Sequence, residues 1–241
     1  MKGIDVSVHN GNIDWNRVKN DGIGFAILRA GYGKTASQKD KKFEENYNGA
    51  KAAGIPVGAY WYSYARTVDV ARQEAEACIT ILRGKQFEYP IFFDVEEKAT
   101  LNTGKSNCSA MIRAFCEALE KAGYWVGLYT SRSVLTTHIE DDIKNRYAIW
   151  AAEWGAKLNY SGSVGIWQYS DKGRVDGITG AVDLDECYVD YPVVVKAAGK
   201  NGYQKHVEAP ETPTEPPVKD SVKVTITIDG KPYSGVLEAA E

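Results

Sequence analysis

The chain lacks several things, and each absence removes a class of protein. It has no excess of either charge: 29 basic residues stand against 32 acidic ones, for a net charge of -3. A nucleic-acid binder wants a basic stripe or patch, so no nucleic-acid partner is expected. Histidine is scarce, with three in 241 residues, and the four cysteines (Cys78, Cys108, Cys116, Cys187) form no C-x-x-C pair. A structural zinc site or redox dithiol is therefore not expected, and the cysteines read as buried free thiols. No G-x-G-x-x-G follows the first strand candidate, which argues against a dinucleotide fold. A G-x-S-x-G elbow is also missing. No apolar run reaches the length of a membrane span, and the opening Met1-Lys2-Gly3-Ile4-Asp5 lacks the apolar core of a signal peptide.

What is abundant is aromatic. The 15 Tyr and 6 Trp offer flat apolar faces with polar edges, suited to stacking on sugar rings and equally ordinary as core material. Against this background one stretch stands out, Tyr89-Pro90-Ile91-Phe92-Phe93-Asp94-Val95-Glu96-Glu97. It reads as a buried strand that runs out into carboxylates. Side chains two apart in a strand share a face, so Asp94 and Glu96 project together. Two carboxylates sharing a face near buried residues raise each other's pKa, which suits an acid needed near neutral pH. The plain alternative is a strand ending in solvent, with Glu96, Glu97 and Lys98 as its wet edge.

Strand candidates recur along the chain at 2–8, 24–30, 57–64, 90–96, 126–130, 147–154, 164–169 and 181–184. Helical patterns separate the early ones, at 13–19, 43–53, 68–82 and 109–122, with one or two short helices in 133–143. Strand–helix alternation at this spacing predicts right-handed βαβ units and a parallel sheet, and eight strands predict closure into a (β/α) barrel. The last crossovers are too short for regular helices, so the barrel is expected to be irregular there. An open doubly wound sheet is the rival architecture. The barrel is assigned to residues 1–198 and a Pro/Glu/Thr-rich linker to 199–220, with Pro210, Pro213, Pro216 and Pro217 among acids and threonines. A β-hairpin-like tail, 221–241, follows, with Asp229-Gly230 as its turn.

A closed barrel collects strand ends around one mouth. Four acids sit at such positions in apolar surroundings: Asp5 in the first strand, Asp94 and Glu96 in the fourth, and Asp183 in the last. First and last strands are neighbours once the barrel closes, so Asp5 and Asp183 are expected side by side, facing the Asp94/Glu96 pair. Taken singly, Asp183 reads as a turn residue and Asp5 as a cap. Together, in a groove lined by Tyr and Trp, the four match the needs of glycoside hydrolysis. One neutral carboxyl donates a proton and a carboxylate stabilises the developing cation or activates a nucleophile. Four acids also suit Mg²⁺ or Ca²⁺ with a phosphate substrate. No Lys or Arg cluster accompanies them, however, and only Arg29 is read at a strand end.

The pieces Gly3-Ile4-Asp5-Val6-Ser7, Phe25-Ala26-Ile27-Leu28-Arg29-Ala30, Gly58-Ala59-Tyr60-Trp61-Tyr62 and Phe93-Asp94-Val95-Glu96 occur in this order, followed by Gly127-Leu128-Tyr129-Thr130, Ile149-Trp150, Trp167-Gln168-Tyr169 and Val182-Asp183-Leu184-Asp185. In these motifs the chain, from residue 2 to about 191, resembles the glycoside hydrolase family 25 lysozymes, the Chalaropsis-type muramidases of phages and bacteria. The resemblance implies an irregular TIM-like barrel of five βα units followed by helix-poor strands. It implies hydrolysis of the β-1,4 bond between N-acetylmuramic acid and N-acetylglucosamine in bacterial peptidoglycan, without a cofactor or catalytic metal. Glu96 takes the role of general acid and Asp94 that of its partner, while Asp5 and Asp183 match the other groove acids. Tyr62, Tyr129, Trp150 and Gln168 match sugar-contacting positions. Tyr60, Arg29 and Tyr32 are further candidates, with strand parity deciding whether Tyr60, Trp61, Tyr64, Tyr32 and Trp154 face groove or shell.

Two departures appear: Trp61-Tyr62 stands where many relatives carry His-Phe, and the first loop, Ser7-Val8-His9-Asn10-Gly11, differs from a Ser-x-x-Gln form. Neither touches the four acids. The resemblance further implies a phage or prophage endolysin, made in the bacterial cytoplasm without a signal peptide and released to the wall. It has no membrane insertion, and its tail makes a wall contact or an oligomer contact. A hydrolase of another amino-sugar polymer such as chitin, and a non-catalytic wall-binding module, are the competing functions.

Overall fold

The structure is a computed structural model, and it describes residues 1–205, 222–228 and 231–237. Eight strands close into a barrel in the order of the sequence: β1 (Lys2–Val6), β2 (Phe25–Tyr32), β3 (Val57–Tyr62), β4 (Ile91–Asp94), β5 (Val126–Ser131), β6 (Ala148–Ala152), β7 (Ile166–Gly173) and β8 (Val182–Cys187). The helices between them are α1 (Trp15–Asn20), α2 (Phe43–Ala52), α3 (Val68–Leu82), α4 (Lys98–Leu101), α5 (Lys105–Lys121), α6 (Arg132–Thr137) and α7 (Asp141–Arg146). A final helix, α8 (Tyr191–Ala197), follows the barrel. Side-chain caps start several of them: Asp14 accepts from the Arg17 amide ahead of α1, and Thr67 from the Val70 amide ahead of α3. The closed barrel answers the open-sheet alternative.

One part of the expected topology is corrected. All neighbours from β1 to β7 pair in parallel, but β8 runs antiparallel to both β7 and β1. A parallel crossover needs a dozen or more residues and usually a helix. The chain between β7 and β8, residues 174–181, contains none and turns straight back. Asp183 therefore reaches the mouth from the start of its strand, not from its C-terminal end. The strand bounds also differ: β4 stops at Asp94, so Glu96 lies just beyond it, and β2 continues to Tyr32, which leaves Arg29 inside the strand rather than at its end.

Strand parity sorts two apolar layers. Ile4, Ala26, Leu28, Ala59, Trp61, Phe93 and Leu128 point outward and pack under the helices. The Phe93 ring stacks on Phe115 of α5 with centroids 3.9 Å apart. Phe25, Ile27, Phe92, Tyr129, Trp150 and Ile166 point inward and fill the barrel. Glycine makes that filling feasible at two points. A Cβ on Gly3 would lie 2.3 Å from the Phe25 ring, and one on Gly127 would lie 2.5 Å from the Phe92 ring. Any larger residue there would displace the aromatic plug. All four cysteines are free and buried, as their composition suggested.

The packed chain continues to Lys205. Asn201, buried, donates from Nδ2 to the Tyr89 carbonyl (2.8 Å) and accepts on Oδ1 from the Trp125 amide (2.7 Å), tying this segment across the bottom of the barrel. Residues 206–241 form a separate unit in which β9 (Val222–Ile228) pairs antiparallel with β10 (Lys231–Leu237). The two arms of the expected hairpin are thus present. Its Asp229-Gly230 turn and most of the expected 199–220 linker lie outside the described residues. Among the described residues no helix is long and apolar enough to cross a membrane.

Candidate active site

The inward parity that buries Phe92 places Asp94 two residues further along the same face, at the C-terminal mouth of the parallel strands. The same rule brings Asp5 up from β1, Tyr60 and Tyr62 from β3, Tyr129 from β5, Trp150 from β6 and Gln168 from β7. These residues, with Arg29, Glu96 and Asp183, line one cavity of about 450 Å³. Ten of the eleven residues singled out from the sequence meet there. The eleventh, Tyr32, lies outside that lining. It is 37% exposed and sits edge-on to Tyr64 with centroids 6.1 Å apart. Tyr64 in turn leans on Tyr62 at 5.1 Å. Trp61 faces the shell, where its Nε1 donates to the Gly33 carbonyl (2.9 Å). Trp154, 60% exposed, overhangs the cavity.

Asp5 and Asp183 are directly paired across β1 and β8. Asp5 is buried, and its Oδ2 accepts from Gln168 Nε2 at 2.7 Å. The Gln168 Oε1 accepts from the Tyr129 hydroxyl (3.0 Å) and from Trp154 Nε1 (3.1 Å). One buried amide therefore fixes an acid, a ring and the overhanging indole. The Tyr129 and Trp150 rings pack at 4.3 Å, and Tyr60 meets Trp150 edge-on at 6.0 Å. Arg29 is held from behind: its Nε donates to Asp40 Oδ2 at 2.7 Å, and Asp40 also accepts from the Val8 and Lys42 amides.

The carboxylates push one another up. Burial, then the charge of Asp183 and that of Glu97, hold Glu96 above its ordinary value. Burial and Glu96 raise Asp94 well above its own, with Arg29 opposing. Asp183 is pushed up to about 6 by burial and by Asp171. These are the conditions that keep a carboxyl protonated long enough to act as an acid near neutral pH. Asp94 is buried, and its Oδ1 has no hydrogen-bond partner. A buried acceptor left bare is costly.

Reading the sequence missed several residues. Asp171, Ser7, His9 and Asn10 also line the cavity. Ser7 was read as part of the first strand and its motif, His9 and Asn10 as part of the first loop, and Asp171 carried no signal because β7 was expected to end before it. Asp185 was noticed only as part of a motif. It is fully buried, and its Oδ1 accepts from Trp150 Nε1 at 2.8 Å. Glu97 was expected to turn away from the acid pair, and it does: its Oε2 accepts instead from the Tyr62 hydroxyl at 3.1 Å.

An irregular eight-stranded barrel with acids and aromatics gathered at the mouth defines a glycoside-hydrolase class of protein. The family model of glycosyl hydrolases family 25 matches residues 4–178, and the chain belongs to that family. The match ends before Asp183, which the β1–β8 pairing brings into the site. The chain is 34% identical over 187 residues to an autolytic lysozyme of Clostridium acetobutylicum; the match takes in 77% of this chain and 55% of that protein, so the chain spans about half its length. Among solved structures, the CTP1L endolysin superposes with a TM-score of 0.72 at 27% identity, covering 81% of this chain and 69% of that one. The modular autolysin LytC from Streptococcus pneumoniae, solved in complex with a synthetic peptidoglycan ligand, gives 0.69 at 30% identity, covering 78% and 46%.

Proposed function

We propose that this protein is an N-acetylmuramidase that cleaves the β-1,4 bond between N-acetylmuramic acid and N-acetylglucosamine in peptidoglycan. The observation that carries the proposal is the convergence of Asp5, Asp94, Glu96 and Asp183 with five Tyr and Trp rings on one cavity. Arg29 is the one Lys or Arg lining it, and it is engaged by Asp40. Such a cavity repels polyanions and favours an uncharged sugar backbone that stacks on Tyr and Trp.

Glu96, held up by burial and by Asp183, donates its proton to the glycosidic oxygen. The bare Oδ1 of Asp94 accepts from the acetamido N–H of the sugar and orients its carbonyl toward the anomeric carbon, giving neighbouring-group assistance. Asp5 and Asp183, on the opposite wall, stabilise positive charge developing on the ring.

Digestion of defined peptidoglycan, followed by identification of the new reducing end, tests the reaction. Muramic acid at that end is the expected result. Glucosamine there contradicts the assignment, and cleavage of chitin in preference to peptidoglycan moves it to another amino-sugar polymer. The Glu96→Gln variant is expected to bind walls and leave them intact.

The relatives include endolysins and autolysins, and the autolysin LytC is solved with a peptidoglycan ligand, which supports the bacterial cell wall as the place where this enzyme acts. Its hairpin unit serves as a wall contact. Residues 1–241 should pellet with purified walls more strongly than residues 1–205 alone, and a concentration-dependent dimer in place of that difference would make the unit an oligomer contact.

A further inference from the structure

Asp185 is a buried acid beside the groove that the reaction scheme does not use. Asp185 lies beneath the groove on the inward face of β8, two residues from Asp183, and does not line the cavity. It is 0% exposed, whereas Asp5 is 6% exposed and opens onto the cavity. The Oδ1 of Asp185 accepts from the Trp150 indole, and its Oδ2 has no N–H or hydroxyl donor to accept from. The group within hydrogen-bonding reach is the Asp5 carboxyl, which already accepts from Gln168. Gly3, opposite Asp185 across β1, has no side chain to offer.

Two carboxylates cannot hydrogen-bond to each other unless one carries a proton. Two adjacent buried charges of one sign do not both persist when a proton is available. From this geometry we infer that Asp185 is a neutral carboxylic acid that donates its Oδ2 proton to Asp5, acting as a positioning residue for the groove carboxylate. The proton sits on the member with no access to water, and the negative charge rests on the member that faces the substrate. Trp150 is fixed by the same group, so the acid and one wall of the sugar site share an anchor.

Several charged and titratable groups surround the pair. Asp183 faces it from the same strand, Asp94 from β4, and Tyr60 and Arg29 from β3 and β2. The acids outnumber Arg29, and its guanidinium is bound to Asp40. Burial raises both Asp185 and Asp5 well above the ordinary carboxylate value, so the pair holds a proton between them.

The inference rests on the proposed role of Asp5 for its functional consequence, but not for its chemistry. An Asp185→Asn side chain keeps an acceptor for Trp150 and a donor for Asp5, and it copies the neutral acid without its titration. Infrared difference spectra between wild type and Asp185→Asn at pH 7 should show a protonated-carboxyl C=O stretch in the wild type that the variant lacks. Identical carboxyl bands would overturn the inference, whatever the enzyme's substrate proves to be.

In kinetics, Asp185→Asn should keep kcat and its pH profile close to wild type. Asp185→Ala should lower kcat by about tenfold or more with little change in KM, as expected for removing one hydrogen bond to a charged group. A folded Asp185→Asn variant as impaired as Asp185→Ala would show that a charge at this position is required, and would also overturn the inference. Where the alanine variant does not fold, the asparagine variant and the infrared comparison carry the test.

Discussion

Gln168 donates to Asp5 at 2.7 Å, joining residues 163 positions apart in the chain, and the same amide oxygen accepts from Tyr129 and Trp154. This amide holds the acid wall and the aromatic wall of the groove together. Gln168→Leu takes one hydrogen bond from the buried Asp5 carboxyl and leaves a buried tyrosine hydroxyl and an indole N–H without partners. Each buried polar group so stranded costs about 1–3 kcal/mol. The variant should unfold at lower denaturant concentration than wild type and lose most of its wall-clearing rate. Gln168→Glu should be worse for activity than its stability loss explains, since it adds a further acid beside Asp5. Equilibrium unfolding and turbidity assays on both variants check this.

Asp183 contributes to Glu96 through its charge. An anion nearby disfavours ionisation of the acid and raises its pKa. Asp183→Asn removes that charge, so Glu96 should lose its proton at a lower pH than in wild type. The alkaline limb of the kcat–pH profile should move toward acid, over and above any fall in kcat itself. A limb that stays in place in the variant would show that Asp183 does not act on Glu96 electrostatically.

Arg29 and Asp40 form an ion pair in which the Asp40 side chain is fully buried and the Arg29 side chain 14% exposed. Asp40 also holds the Val8 amide of the first loop and the Lys42 amide ahead of α2. Removing one member of such a pair leaves an uncompensated charge and costs about 3–5 kcal/mol. Asp40→Ala should be destabilised on that scale. Asp40→Asn, which keeps an acceptor for one of the two amides, should lose less. Thermal or denaturant unfolding distinguishes the two.

Much of this was legible in the chain because barrels obey two short-range rules. Strand parity put Asp94 with Glu96, and closure put Asp5 beside Asp183, so the acids could be assembled from residues far apart in sequence. The direction of β8 was not legible. Residues 174–181 look like any short connection, and only pairing shows that they reverse the strand. Asp171 was hidden by a misplaced end of β7. Asp185 was hidden because the alternation Val182-Asp183-Leu184-Asp185 offers two inward acids without saying which reaches the cavity. Tyr32 was an inference from position at a strand end, where a single residue more of strand turns a side chain out to the rim. The apolar helical pattern over 68–82 was strong, and α3 runs over Val68–Leu82 as it predicted.

Glu74 lies fully buried on α3, away from the groove acids. Its Oε2 accepts from the Ser63 hydroxyl (2.7 Å) and its Oε1 from the Tyr64 amide (2.8 Å), so it pins the turn that carries Tyr64. Burial outweighs those hydrogen bonds and raises Glu74 to about 7 in the folded protein, against 4.5 for a free side chain. Between these two values the folded state binds the proton more tightly than the unfolded state, so stability falls as pH rises through the window and levels off above about 7. The size of the fall is about 3 kcal/mol at most, since each pKa unit is worth about 1.4 kcal/mol. Glu74→Gln cannot titrate. The difference in melting temperature between wild type and Glu74→Gln should therefore shift steadily against wild type from pH 5 to pH 8. A difference independent of pH over that range would show that Glu74 has the same proton affinity folded and unfolded.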